Sequence, residues 1–69
     1  MDNNLFLYRR RANLRQLDLA NKVGLSEQAI SKYERGRAKP PIKTAIAIAK
    51  ILGVDVKKVF PDIQETVKK

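Results

Sequence analysis

Gln16-Leu-Asp-Leu-Ala20-Asn-Lys-Val-Gly24-Leu-Ser26-Glu-Gln-Ala-Ile30-Ser-Lys-Tyr33-Glu34 is the stretch whose reading decides the fold. Leu19, Ala20 and Val23 recur at helical spacing, so its first half reads as a short amphipathic helix. Gly24 can adopt the left-handed conformation that ends a helix without a Cβ clash. Ser26 then offers a hydroxyl as N-cap to a second helix, whose apolar stripe is Ile30 and Tyr33. Ala20 is small where the two helices must cross closely.

Two short helices folded across one tight turn make a helix-turn-helix unit, and the second helix of such a unit usually enters the DNA major groove. Rotation at about 100° per residue sorts that helix into faces. With Ile30 at the centre of the buried face, Ser26, Tyr33 and Glu34 fall on or near it. Gln28, Lys32 and Arg35 fall opposite, with Ser31 at the edge. An amide, two long cations and a hydroxyl are donors and acceptors suited to base edges and phosphates. The same residues could form an ordinary solvated face; the turn and the charge favour DNA reading.

The chain carries a formal net charge of +8 on 69 residues, a balance typical of domains that meet a polyanion. Arg9, Arg10, Arg11 and Arg15 form one cluster; Lys32, Arg35, Arg37, Lys39 and Lys43 form another, interrupted only by Glu34. Asp2, Asp18, Asp55, Asp62 and Glu65 lie mostly elsewhere. A membrane-surface role would need one long helix with bulky apolar residues opposite its cations. Here the apolar residues are spread over short helices that need one another for burial. With no His, no Cys, no clustered carboxylates and no Gly-rich phosphate loop, the chain lacks the usual catalytic and metal-binding groups. No enzyme activity, cofactor, metal or small-molecule ligand is expected. No apolar run approaches the ~20 residues of a membrane span, and no signal peptide is visible, which predicts a soluble cytoplasmic protein.

The reading is all-α, a compact five-helix domain over residues 1–60 with a short polar tail over 61–69. Asp2, Asn3 and Asn4 supply capping side chains for a first helix over 4–12, with Leu5, Tyr8 and Ala12 on its inner face. Helices follow over 16–23 and 27–35. A loop from Gly36 ends in Pro40-Pro41, which tolerate the first turn of a helix. The fourth helix runs 43–52 and stops at Gly53; being apolar nearly all round, it should sit centrally. Asp55 caps a short fifth helix over 56–60. In the tail, Ile63 and Val67 stand four apart. So small a core supplies only about 3–5 kcal/mol net.

Residues 5–60 resemble the Xre/Cro-type helix-turn-helix family, the lambda-repressor-like DNA-binding domains of bacteria and phages. The resemblance is carried by Arg9, Leu14-x-Gln16-x-x-Leu19-Ala20, Gly24-Leu25-Ser26, Ile30-Ser31-x-Tyr33-Glu34-x-Gly36, Pro40, Ile48-Ala49, Leu52-Gly53-Val54 and Phe60, in order and without gaps. It implies a five-helix fold, a homodimer, a partly palindromic double-stranded operator and a nucleoid-associated cytoplasmic setting. By position, Glu27, Gln28 and Lys32, with Ser31 close by, match the base-reading residues. Gln16 matches a glutamine that holds a phosphate, and Arg35 and Lys39 match backbone-contacting positions. Arg15, Arg37 and Lys43 extend that backbone set by charge. Arg9 and Glu34 match an internal salt bridge. Where the family has Thr or Ser before the glutamine, this chain has Arg15, which cannot accept the free N–H groups of a helix start. Pro41 replaces the usual Ser, and Ile42 stands where some phage members are basic. Glu27 is an acid at the expected DNA surface, and its plainer role is to stabilise the N-terminus of the third helix.

The function so implied is an operator-binding transcriptional regulator, most simply a repressor. The alternative is an antitoxin or restriction-system controller, the same domain with a protein partner. One reading helix spans few base pairs, so a dimer is expected, with Val56, Val59 and Ile63 as exposed apolar contacts on the fifth helix and its flank; their plainer role is to cap the domain's own core.

Overall fold

The computed structural model describes residues 3–63. The helices are α1 (Leu5–Arg11), α2 (Gln16–Val23), α3 (Glu27–Glu34), α4 (Ile42–Leu52) and α5 (Val56–Val59), with no strand among the described residues. Their bounds lie within one residue of those read from the sequence.

Two glycines set the turns. Gly24 (φ 75°) and Gly53 (φ 76°) end α2 and α4 in the left-handed region. In each case the next residue reaches back to the helix: the Leu25 N–H donates to the Ala20 carbonyl at 2.8 Å, and Val54 donates to Ala49 at 3.1 Å. Leu25 and Val54 also pack on the core, the apolar contact that accompanies this kind of helix end. Ser26 caps α3 through the Ala29 N–H at 3.1 Å, and Asp55 caps α5 through the Lys57 N–H at 2.9 Å.

The core gathers Leu5, Leu19, Ala20, Ile30, Ala45, Ile48, Ala49, Val56, Val59 and Phe60. It lies where α2, at the centre, meets α3 and α4, with α1 and α5 closing the sides. Ala20 is fully buried, as a close helix crossing requires. The segment before α1 ties distant elements together. Asn3 accepts from the Leu5 N–H at 2.9 Å and donates to the Tyr33 carbonyl at 2.8 Å. The backbone N–H of Asn4 donates to the Val59 carbonyl at 2.8 Å, and its side chain donates to that of Lys58 at 2.9 Å. Asp2, expected as a further cap, and Val67 of the tail lie outside the described residues.

Three expectations need correction. Val56 and Val59 are not exposed: Val59 is fully buried and Val56 nearly so, because a four-residue helix can only hold its place by turning its apolar side inward. Ile63 is half-buried and packs on the core, beside Phe60. And α4 is not buried all round. Ala45, Ile48 and Ala49 face inward while Ile46 and Ile51 are each 40% exposed, since neighbours cover only one side of the helix. On α1 the inner face includes Arg9 as well as Leu5, with Tyr8 and Ala12 half-buried.

Candidate nucleic-acid interface

The outward face of α3 follows the rotation from Ile30. Ile30 is fully buried and Glu34 is 4% exposed, while Gln28, Lys32 and Arg35 are exposed and Ser31 is half-buried. The helix is held by its inner side and presents an amide, a hydroxyl and cations to solvent from a rigid element. Arg35 sits just past the last turn of α3, and Arg37 and Lys39 are exposed on the following loop. Lys43 is exposed in the first turn of α4.

Beneath this face lies a buried polar knot. Glu34 accepts from Arg9 Nε, from Arg9 Nη2 at 3.2 Å and from Gln16 Nε2 at 3.1 Å. Arg9 Nη1 donates to the Leu14 carbonyl at 2.7 Å, which fixes the α1–α2 connection. Arg9 is itself only 6% exposed, so its charge is balanced inside the domain rather than offered to solvent. A carboxylate can only accept, so Gln16 must turn its NH2 toward Glu34. The second amide hydrogen of Gln16 is then held at a fixed angle on a half-buried side chain.

At the start of α2 a polar hollow opens, lined by Arg9, Arg10, Asn13, Leu14, Arg15, Gln16 and Glu27. Its volume is about 360 Å³, against about 30 Å³ for a water molecule, so it can take an anionic group with its hydration. Asn13 adopts φ 64°, a left-handed conformation for which Asn is enriched, and this turns the chain sharply enough to form the hollow's rim. Arg10 stacks over the Phe6 ring at 5.5 Å, which orders a long cationic side chain. Neither Arg10 nor Asn13 stood out in the sequence as a site residue; the cue was an Asn between two helical segments, next to an arginine run.

No side chain caps the first-turn N–H groups of α2; only the reverse half of a capping box is present. Asp18, three residues into the helix, accepts from the Arg15 backbone N–H at 2.9 Å. It also accepts from Arg15 Nε and Nη2, both at 3.0 Å. These bonds, side chain first and backbone second, push the Asp18 carboxyl down to about 2. The same hydrogen bond, followed by the Asp18 charge, raises the Arg15 guanidinium above its ordinary value, and the Glu27 charge adds to this. Asp18 is therefore not outside the basic clusters, as its sequence position suggested, but bonded to one of them. Glu27 faces the hollow that contains Arg15. The described residues hold no group of three or more acids able to bind a metal ion, and no helix long and apolar enough to cross a membrane.

Comparison with known proteins agrees with this geometry. A family described as helix-turn-helix matches residues 5–59. An HTH-type transcriptional regulator from Methanocaldococcus jannaschii, itself uncharacterized, is 45% identical over 60 residues, covering 87% of this chain and 91% of that protein. Among solved structures, the P22 c2 repressor protein in complex with a synthetic operator, in the presence of Tl+, superposes with a TM-score of 0.78 at 28% identity. That match covers 83% of this chain and 86% of the repressor chain. The resemblance to lambda-repressor-like domains drawn from the residues is borne out.

Proposed function

The chain belongs to the helix-turn-helix family of DNA-binding transcription regulators, and from that premise we propose that it acts as a repressor on a palindromic double-stranded operator, as a homodimer. The observation that carries this is the α3 face: Gln28, Lys32 and Arg35 point outward from a helix anchored by Ile30 and Glu34. In this reading Gln28, Lys32 and Ser31 contact base edges. Arg35, Arg37, Lys39 and Lys43 neutralise phosphates to one side of α3; on the other, Arg15 neutralises one and Gln16 donates an amide hydrogen bond to one. Glu27 is assigned to the α3 N-terminus and the hollow ahead of base contact, because it shares that hollow with Arg15. The chain performs no catalysis in this role and acts by occupying its site.

The homodimer is argued from address length: one reading helix covers too few base pairs, and a two-fold pair would put half-sites about 34–36 Å apart. Burial of Val56 and Val59 removes them from that contact. Selection of bound duplexes from a random DNA pool tests the reading. A half-site repeated with inverted symmetry supports it; recovery of no preferred sequence overturns it. Sedimentation of the saturated complex tests the stoichiometry, and a single protomer on the full site would rule out the dimer.

A further inference from the structure

Arg15 and Asp18 form an exposed pair at i and i+3, with side-chain exposures of 81% and 31%. Such pairs usually contribute little to stability. In a protein that meets DNA, an acid at this spot would also be expected to weaken binding. The hydrogen bonds point the other way. Both Asp18 oxygens are taken by Arg15, and Asp18 does not line the hollow. Arg15 carries five N–H donors, of which Nε and one on Nη2 are used. Three remain, on a guanidinium whose plane is fixed by two bonds to one carboxylate, beside Arg10, Asn13 and Gln16. Glu27, by contrast, lines the same hollow directly and raises the Arg15 pKa only through its charge.

We propose that Asp18 is a positioning residue for DNA binding: it accepts from the Arg15 backbone N–H and, with both oxygens, locks the Arg15 guanidinium as a preoriented phosphate donor. Glu27 is the acid that opposes a phosphate in that hollow. This deepens the DNA-binding reading and rests on it. Two substitutions that raise the net charge of +8 equally, Asp18→Asn and Glu27→Gln, therefore act in opposite directions.

The test is binding to a mixed-sequence duplex of about 20 base pairs across a salt series, where phosphate contacts supply nearly all the affinity. Asp18→Asn should weaken binding about two- to tenfold, the range for immobilising one long side chain. Glu27→Gln should tighten it. Arg15→Ser restores an ordinary N-cap above Asp18, so it should raise thermal stability while lowering the salt slope by about 0.9. In the Arg15→Ser background, Asp18→Asn should no longer weaken binding, which a merely structural role for Asp18 would not predict. Circular dichroism confirms that each variant is folded at the assay temperature. If Asp18→Asn tightens binding as Glu27→Gln does, the inference is overturned and the DNA-binding reading stands. If the unaltered protein retains no duplex even at low salt, that reading falls, and the inference with it.

Discussion

Replacing Glu34 by Ala should take most of this domain's stability. Glu34 is 4% exposed and accepts hydrogen bonds from Arg9 and Gln16; Arg9 is 6% exposed. After the substitution the guanidinium keeps one hydrogen-bond acceptor, the Leu14 carbonyl, and its place over the Phe6 ring at 5.3 Å, with no counter-charge and only 6% exposure. Breaking a buried ion pair by removing one partner costs about 3–5 kcal/mol, because the other charge is stranded. Domains hold about 0.05–0.15 kcal/mol per residue, so 69 residues amount to about 3–10 kcal/mol in all. Removing both charges with Arg9→Met and Glu34→Leu should restore most of the loss, since apolar groups of similar size replace a buried pair at little or no cost. Equilibrium urea unfolding followed by helical circular dichroism, run on Arg9→Met, Glu34→Leu and the double as well as on Glu34→Ala, gives the coupling energy directly. A loss below about 1 kcal/mol for Glu34→Ala would place the pair among surface ion pairs and refute the burial reasoning. A double variant as unstable as the single would refute the claim that the stranded charge is the cause.

Lys39→Ala should weaken binding to all duplexes alike and flatten the dependence of log K on log salt by about 0.9, one phosphate's share; an unchanged slope in a salt titration counts against the contact. Gln28→Ala and Lys32→Ala should each relax preference at one or two base positions, at about 1–3 kcal/mol on the preferred site, with no change in melting temperature. A loss of folding in either would mean that the outward face of α3 is misassigned. The Asp18 carboxyl titrates at about 2 in the folded chain and near 3.9 when unfolded, so its contribution is present above about pH 4 and disappears as pH falls toward 2. Urea midpoints measured across that window should fall further for the unaltered chain than for Asp18→Asn; equal falls would deny the linkage. Val59→Lys should unfold the domain rather than merely impair DNA binding, because it puts an ammonium into the core. A folded variant by circular dichroism would contradict that burial.

The helices were legible because their punctuation is local. Gly24, Gly53, Ser26 and Asp55 act on backbone groups within a turn of themselves, and the structure uses all four in that way. The face of α3 was legible because eight residues of helix give rotation something to count. Rotation and periodicity stop working where the element is short or its neighbours are unknown. Four residues of α5 fit either orientation, so Val56 and Val59 could not be placed from pattern alone. The apolar run of α4 says that some side is buried, but not that Ile46 and Ile51 are left over. The bonds of Asn3 to Tyr33 and of Asn4 to Lys58 join residues far apart in sequence, and no local spacing announces them. The hollow at the start of α2 was half legible: Arg15 was evident as a poor cap, but its bonding to Asp18 depends on the direction of a backbone N–H.

The acids decide how the net charge of +8 is presented. Read along the chain, only Glu34 interrupts a basic cluster and the other acids lie mostly elsewhere, which would make the cations of the first cluster equivalent. In the folded domain Glu34 and Asp18 are bonded to members of the first cluster, and with opposite consequences. Glu34 withdraws Arg9 into the interior, where it braces α1 against α3 and, through Gln16, the start of α2. Asp18 is bonded to Arg15 at the surface, where the Arg15 side chain is 81% exposed. One acid thus removes a cation from the field that a polyanion meets, while the other fixes a cation within it. Counting Lys and Arg therefore overstates the phosphate contacts of the first cluster. On the proposed DNA-binding reading, the contacts to expect in the hollow come from Arg10, Arg15 and Gln16, whose positions are set by a ring, a carboxylate and a buried ion pair, while Arg11 stands exposed over Tyr8 outside it.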